Sequence, residues 1–298
     1  MKILVTGGTG FIGRNIVPHL LAEHTVTLCG RSDGNDVKVD LSVESPELSG
    51  CFDIVFHAAG KAHTIPATKA EAQSFDDVNF EGTKNLCAAL EKSGVPKSFV
   101  FLSSVAVYGC EEGENIDENH PLNGTTPYAL SKIKAEEFLK DWCRRHNVTL
   151  GILRAPLVAG PNPPGNLGAM ITGIRSGKYM SIGMGDAHKS ILQVDDIPAL
   201  IEAASRKGGI YNVCDNHHPT FRELEISIAA QLGGRRIISI PLPVASFFAK
   251  IGNILGANAP LNTSKLSKMT KSLTFSNQKA REELGWKPTD VLSSFKIS

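Results

Sequence analysis

The stretch Thr6 to Gly13, TGGTGFIG, constrains the fold of this chain more than any other because of what flanks it. The apolar run Ile3-Leu4-Val5 before it reads as a short buried strand, and the pattern from Phe11 to Glu23 after it reads as an amphipathic helix. Strand, glycine turn, helix is the setting in which such glycines form a dinucleotide cradle. Gly7 permits the tight turn, Gly10 lets backbone approach a pyrophosphate, and Gly13 lets the helix pack close to the strand. The helix start at Phe11 and Ile12 then turns its free N–H groups toward negative charge.

Val26-Thr27-Leu28, Val37 to Val39, Ile54-Val55-Phe56, Phe99 to Leu102 and Leu150 to Leu153 are further β-rich runs, mostly separated by amphipathic helical stretches. That alternation predicts an α/β fold, a Rossmann-like doubly wound parallel sheet whose ligand crevice lies beyond the carboxyl ends of its strands. After Arg154 the rhythm breaks at Ala155-Pro156, at Gly160 to Gly165 and at Gly183-Met184-Gly185. A dinucleotide-binding domain over residues 1–155 and a smaller substrate-binding lobe over 156–298 are therefore expected. Gly209 to Val213 reads as a strand going back to the sheet, so the lobes interleave, with a segment of about 190–215 returning to the first domain.

Charge nearly cancels, 31 Lys+Arg against 30 Asp+Glu, which offers no ground for a nucleic-acid partner. The six cysteines stand singly, with no C-x-x-C pair and no zinc spacing, so no metal is expected and a reducing cytoplasm suits them. A first strand beginning at Lys2 leaves no room for a signal peptide. Pro241 to Gly256 is the most apolar later stretch; it is too short to span a bilayer and is expected to be a packed helix.

In dinucleotide folds an acidic residue ending the second strand holds the ribose 2′-hydroxyl, whereas a nearby arginine suits a 2′-phosphate. Here that strand ends Leu28-Cys29-Gly30-Arg31. The charge favours NADP(H), with NAD(H) left open. Asp40, in Val39-Asp40-Leu41, is placed to lie against an adenine or to serve an ordinary turn.

Tyr128 and Lys132 stand four apart behind Thr126-Pro127, a helix start with an N-cap residue and a proline in the first turn, so both share one helix face. An ammonium beside a phenol favours the phenolate, and a phenol so tuned can pass a proton to or from a carbinol oxygen. Upstream, Ser103-Ser104 end the run Phe99 to Leu102, where a central strand meets the ligand crevice; turn capping is the other reading for one of them.

Taken together, the glycine loop, Ser104 and Tyr128-x-x-x-Lys132 resemble the extended short-chain dehydrogenase/reductases, the NAD-dependent epimerase/dehydratase group. So do His57-Ala58-Ala59-Gly60, Val78-Asn79-x-x-Gly82-Thr83-x-Asn85-Leu86 and Leu284-Gly285-Trp286-x-Pro288, and the likeness runs over essentially the whole chain. It implies that Ser104 hydrogen-bonds the reacting oxygen, that Tyr128 is the acid/base, and that Lys132 holds the nicotinamide ribose and depresses the tyrosine pKa. Asn79 would support the helix and the water network behind them. Cofactor contacts would also fall on Leu41, Ala58, Ala59, Gly60, Ser103 and Pro156.

Within that family the look is to nucleotide-sugar 4-epimerases and 4-ketoreductases. Asn166, opening a helix after Gly165, matches a position that contacts the sugar nucleotide's phosphates, and Lys189 falls where relatives carry an arginine for the pyrophosphate. Asp195 and Asp196 read as helix caps. Nucleotide-sugar 4,6-dehydratases carry Asp-Glu directly after the residue matching Ser104, whereas this chain has Val105-Ala106, two side chains that cannot do acid/base work. Dehydration is therefore not expected. Gly30-Arg31 tilts the reading toward an NADPH-consuming 4-ketoreductase of a nucleotide-linked, UDP in particular, 4-keto-6-deoxy sugar; a 4-epimerase is the alternative. A small-carbonyl reductase and an NADP-binding sensor without turnover stand further off. His63 and His188 border the expected sugar pocket, and a homodimer through the helices bearing Tyr128 and Asn79 is an assembly the resemblance allows.

Overall fold

The computed structural model describes residues 1–62, 64–255 and 261–297, and builds them around a seven-stranded, all-parallel sheet. Its strands are β1 (Lys2–Thr6), β2 (Thr25–Gly30), β3 (Val37–Lys38), β4 (Ile54–His57), β5 (Ser98–Ser104), β6 (Thr149–Ala155) and β7 (Gly209–Asn212). They lie in the order β3-β2-β1-β4-β5-β6-β7, so chain direction across the sheet reverses between β1 and β4. A crevice opens at that switch point, and the glycine loop after β1 lies in it. His63 and residues 256–260, the end of the apolar stretch, lie outside the described residues.

The helices are α1 (Phe11–Glu23), α2 (Lys69–Asp76), α3 (Gly82–Ser93), α4 (Pro127–His146), α5 (Gly165–Arg175), α6 (Ile197–Lys207), α7 (Phe221–Gln231), α8 (Leu242–Leu255) and α9 (Thr263–Thr270), followed by two short ones at Gln278–Leu284 and Val291–Ser294. Alternate strand residues face opposite ways. Ile3, Val5, Ile54 and Phe56 pack under Ile16, Leu20, Leu200 and Ile201 of α1 and α6. Leu4, Val55, Phe99 and Phe101 pack under Leu86, Leu90, Leu139 and Trp142 of α3 and α4. Each such side chain contributes about 1.5–3 kcal/mol by leaving water, and strands covered on both faces can be apolar throughout.

Two local devices set the helical segments that carry Tyr128 and Asn79. Thr126 Oγ1 accepts from the Ala129 N–H at 3.2 Å and Pro127 occupies the first turn, which fixes where α4 begins. Between α2 and α3 the helix widens into a π turn at Asp77–Glu81, which carries Asn79. The widened turn adds a residue to the helical circuit, the kind of bulge that proteins place at functional sites.

Beyond β6 further hydrophobic cores form. One joins Met170 and Ile174 of α5 to Leu224 and Ile228 of α7; another joins Ile182 to Ala245 and Ala249 of α8 and Leu266 of α9. The expected packed helix at Pro241 to Gly256 is a helix over Leu242–Leu255, and the buried residues among its described side chains are small. Ala245 and Ala249 are fully buried, whereas Phe247, Phe248 and Ile251 are exposed. Asp195 and Asp196 do not cap α6 with their side chains either: Asp195 accepts from Gln193, and Asp196 accepts from the N–H and hydroxyl of Thr289, tying the chain's end to the sheet domain. Among the described residues no helix is long and apolar enough to cross a membrane.

Candidate active site

The glycine loop closes tightly on itself and on the loop after β4. Gly7 has φ +76°, a left-handed conformation, and a Cβ there would come within 2.7 Å of the Ala59 nitrogen. A Cβ on Gly13 would fall 2.4 Å from both the Gly7 oxygen and the Gly8 Cα, so only glycine lets α1 approach β1 this closely. At Gly10 the nearest atom is the Gly7 oxygen at 3.2 Å, with nothing else within 4 Å, so its outer side is open to an approaching phosphate. Thr6 stitches the two loops together: its hydroxyl accepts from the Ala59 N–H at 3.2 Å and bonds His57 Nδ1 at 2.6 Å. Burial pushes His57 down to about 3, so it stays neutral and structural.

Across the crevice, β5 ends at Ser104, whose Oγ accepts from the Ala106 N–H at 3.2 Å and so caps the following 3₁₀ turn at Val105–Tyr108. Ser104 also hydrogen-bonds Tyr128, easing a phenol pKa that burial raises. Lys132, one turn further along α4, has its Nζ donating to the Leu102 carbonyl at 2.9 Å and lying 4.5 Å from the Phe101 ring centroid. Burial brings it down to about 8 and the Glu136 carboxylate works the other way. Gly60 is the neighbour that makes room for it: a Cβ there would sit 3.0 Å from Asn79 Oδ1 and 3.4 Å from Lys132 Nζ. Asn79 is buried, accepting from Lys61 N–H at 2.7 Å and donating to the Lys61 carbonyl and to Ser131 Oγ.

Ser103 turns the other way. Its buried hydroxyl donates to Glu136 at 2.5 Å. Glu136 takes two hydrogen bonds from Arg154, which donates a third to Tyr108, and Tyr108 donates to Asn212. This chain of buried polar groups under Ser103 and Lys132 has no counterpart in the sequence reading.

At the far end of the cradle Arg31 is exposed and stands 3.7 Å from Asp40. Ser42, with a smaller part from Arg31, holds the Asp40 carboxyl below its ordinary value. Asp40 is thus engaged by Ser42 and Arg31. Leu41 is buried behind Asn85, which donates to its carbonyl, and Ala58 and Pro156 are half-buried at the strand ends. On the lobe side Asn166 is exposed in the first turn of α5. Lys189 is half-buried, donates to the Lys271 carbonyl at 2.8 Å, and is brought down to about 8 by burial and by the charge of Lys268. Lys268, on α9, is the second cation that the sequence reading did not find. His188 bonds the His218 carbonyl at 2.8 Å.

Similar proteins include UDP-glucose 4-epimerases, a GDP-6-deoxy-D-mannose reductase and a dTDP-D-glucose 4,6-dehydratase. The N-acetyl-alpha-D-glucosaminyl-diphospho-ditrans,octacis-undecaprenol 4-epimerase of Escherichia coli O157:H7 is 30% identical over 81% of this chain and 75% of its own length. The GDP-6-deoxy-D-mannose reductase of Pseudomonas aeruginosa is 28% identical over 88% of this chain and 90% of its own. In fold, RMD from Pseudomonas aeruginosa complexed with NADPH superposes with a TM-score of 0.75 at 21% identity, covering 99% of this chain and 96% of that one. Other structures of this fold are complexes with NAD. Residues 3–214 match the family model itself, and the chain belongs to the NAD dependent epimerase/dehydratase family.

Proposed function

We propose that the chain catalyses hydride transfer at C4 of a nucleotide-activated sugar, working as an NADPH-dependent 4-ketoreductase. The observation that carries this reading is the meeting of Ser104, Tyr128 and Lys132 at the carboxyl end of β5, next to the glycine loop and the Gly60 turn. The cradle fits a dinucleotide, since Gly7 and Gly13 are sterically required and Gly10 leaves an open face. Bound there, a nicotinamide would supply or accept the hydride. Gly7, Gly10, Phe11, Ile12 and Gly13 would hold its pyrophosphate, Arg31 the 2′-phosphate, and Lys132 and Asn79 the nicotinamide end.

The chain's own part is the proton. Burial keeps the Tyr128 phenol protonated, the state a donor needs when a ketone is reduced, and Ser104 is within reach of the same oxygen. Lys132, with a pKa of about 8, is mostly charged at neutral pH and stabilises the phenolate left after transfer. Val105 and Ala106 follow Ser104, so elimination of water lacks its acid and base here. Lys189, Lys268 and the first turn of α5 at Asn166 offer positive charge and free N–H groups to a diphosphate.

The second reading is a 4-epimerase acting on a UDP-hexose or on a diphosphate-linked sugar, favoured by the 30% identical relative of that activity. Absorbance of the reduced nicotinamide separates the two. Stoichiometric loss of NADPH with a UDP-linked 4-keto-6-deoxy sugar is the expected result. Interconversion of C4 epimers without net cofactor loss would replace the reductase with the epimerase, and NADPH binding without either reaction would favour a sensor.

A further inference from the structure

The near-cancellation of charge over the whole chain hides one uneven region. From Ile226 to Arg281 there are eight Lys and Arg residues and no Asp or Glu at all. That window contains α8, whose orientation is inverted relative to an ordinary surface helix. Its buried positions are Ala245, Ala249 and Gly252, whereas Val244, Phe247, Phe248 and Ile251 form an exposed stripe at i, i+3, i+4 and i+7. Ile254, one turn further along that stripe, is 86% exposed.

The apolar surface continues off the helix. Ile238 and Met180 are direct partners in a two-stranded parallel pair, and both are exposed. Gly183 approaches Leu242, with exposed Met184 next in the chain. Of the fifteen large apolar residues exposed among the described ones, nine fall in 180–184 and 238–254. Exposed cations flank them: Arg235 and Arg236 lead into the strand at Ile238–Ile240, and Lys250 lies beside the stripe on α8. The acidic residue nearest in the chain to the 180–184 segment is Asp186.

Large apolar side chains facing out, flanked by cations and carried mostly by a window without Asp or Glu, make the face that binds in the boundary between lipid headgroups and acyl chains. A basic surface is attracted to anionic headgroups, and the apolar stripe gives it depth. Exposed apolar side chains clustered in this way and rimmed by polar residues mark an interaction surface.

We propose that the α8 face of the substrate lobe docks the protein onto anionic phospholipid bilayers, Phe247, Phe248 and Ile251 entering the headgroup boundary while Arg235, Arg236 and Lys250 meet lipid phosphates. The inference does not depend on which reaction the active site runs. Its functional sense comes from position: α8 packs on α9, which carries Lys268, the cation that faces Lys189. The docked protein would hold its candidate diphosphate site near the membrane surface, where a sugar carried on a lipid diphosphate, or a membrane enzyme consuming the product, would be met.

The test is co-sedimentation of the full chain with phosphatidylglycerol/phosphatidylcholine vesicles and with pure phosphatidylcholine vesicles, at low and high salt. Binding to the anionic vesicles that weakens with salt is expected, with about tenfold or greater loss in Phe247→Ser/Phe248→Ser and a shallower salt dependence in Arg235→Gln/Arg236→Gln/Lys250→Gln. These side chains are exposed, so the thermal midpoint and turnover of a water-soluble substrate should stay unchanged. Equal partition onto both vesicle types, or binding indifferent to the serine pair, would overturn the proposal. Loss of self-association in the serine pair by light scattering, with no vesicle binding in either protein, would overturn it in favour of a contact between two copies of this chain.

Discussion

Glu136 and Arg154 meet through hydrogen bonds of 2.6 and 3.1 Å with both side chains out of reach of water, and Glu136 stands one helical turn beyond Lys132 on α4. The carboxylate has three tasks: it neutralises Arg154, accepts from Ser103, and opposes the fall in the Lys132 pKa that burial causes. Removing its charge leaves a buried guanidinium without a counter-ion, which costs about 3–5 kcal/mol in comparable pairs. Glu136→Gln should therefore lower stability by about 3 kcal/mol, the amide keeping some hydrogen bonds, as read from urea midpoints.

The same substitution has a pH signature that lost stability alone would not produce. With Glu136 present, Lys132 titrates at about 8. Without the carboxylate its pKa falls further, so the alkaline limb of kcat should move to lower pH in Glu136→Gln, measured at a temperature where both proteins are folded. Linkage runs in a matching sense: the folded value lies below the ordinary 10.5, so the unfolded chain binds more protons between the two, and the lysine's contribution makes stability rise as pH climbs from about 8 toward 10.5. An alkaline limb unmoved by the substitution would detach Lys132 from the rate.

Tyr128→Phe removes the proposed proton donor and leaves the ring, which packs edge-on against Phe75 with centroids 6.2 Å apart. General acid catalysis contributes about 10²–10⁴-fold, so kcat should drop within that range. The thermal midpoint and the fluorescence titration of bound NADPH should hardly change. Turnover surviving in the phenylalanine variant would assign the proton to another group.

The parts of this site that could be read from the chain alone are those whose residues are neighbours in sequence. Gly7, Gly10 and Gly13 meet because a turn brings them together, and Tyr128 and Lys132 because a helix does. Even there, the sense of the phenol's shift was not legible: spacing puts the lysine on the right face, but the burial that raises the phenol is set by the whole fold. Glu136, Arg154, Tyr108 and Asn212 come from α4, β6, the turn after β5 and β7, and only the sheet order makes them adjacent. Lys268 is likewise remote from Lys189 in the chain. The orientation of α8 was hidden for another reason. Hydropathy says how apolar a helix is, but which face goes inward depends on the space its neighbours leave, and here the described buried positions are Ala245, Ala249 and Gly252.

Lys189 and Lys268 should act on substrate binding rather than on chemistry. The charge of Lys268 lowers the appetite of Lys189 for a proton, and a diphosphate between them would relieve that repulsion. Lys189→Gln and Lys268→Gln should each raise KM for the sugar nucleotide about tenfold while leaving kcat within about twofold, since a contact present in both ground and transition states is uniform binding. The double variant should cost less than the product of the singles, because the two charges share one ligand. Steady-state kinetics across the three variants would show whether they do.

In the proposed reading Arg31 would meet the 2′-phosphate, and its geometry would make the effect selective between the cofactors. Its guanidinium is exposed and, among the described residues, pairs with Asp40 at 3.7 Å, so it can turn to a 2′-phosphate at little cost. A hydrogen bond to a charged group contributes about 1.5–3 kcal/mol, which corresponds to about 10- to 100-fold in binding. Arg31→Ala should weaken NADPH by that factor and leave NADH, which has no phosphate there, nearly unchanged. Adding salt should weaken NADPH binding to the native protein more than to the variant. Parallel loss of both cofactors would mean that Arg31 serves the loop's conformation, and equal tight binding of both by the native protein would remove the charge argument for NADPH and return weight to the epimerase.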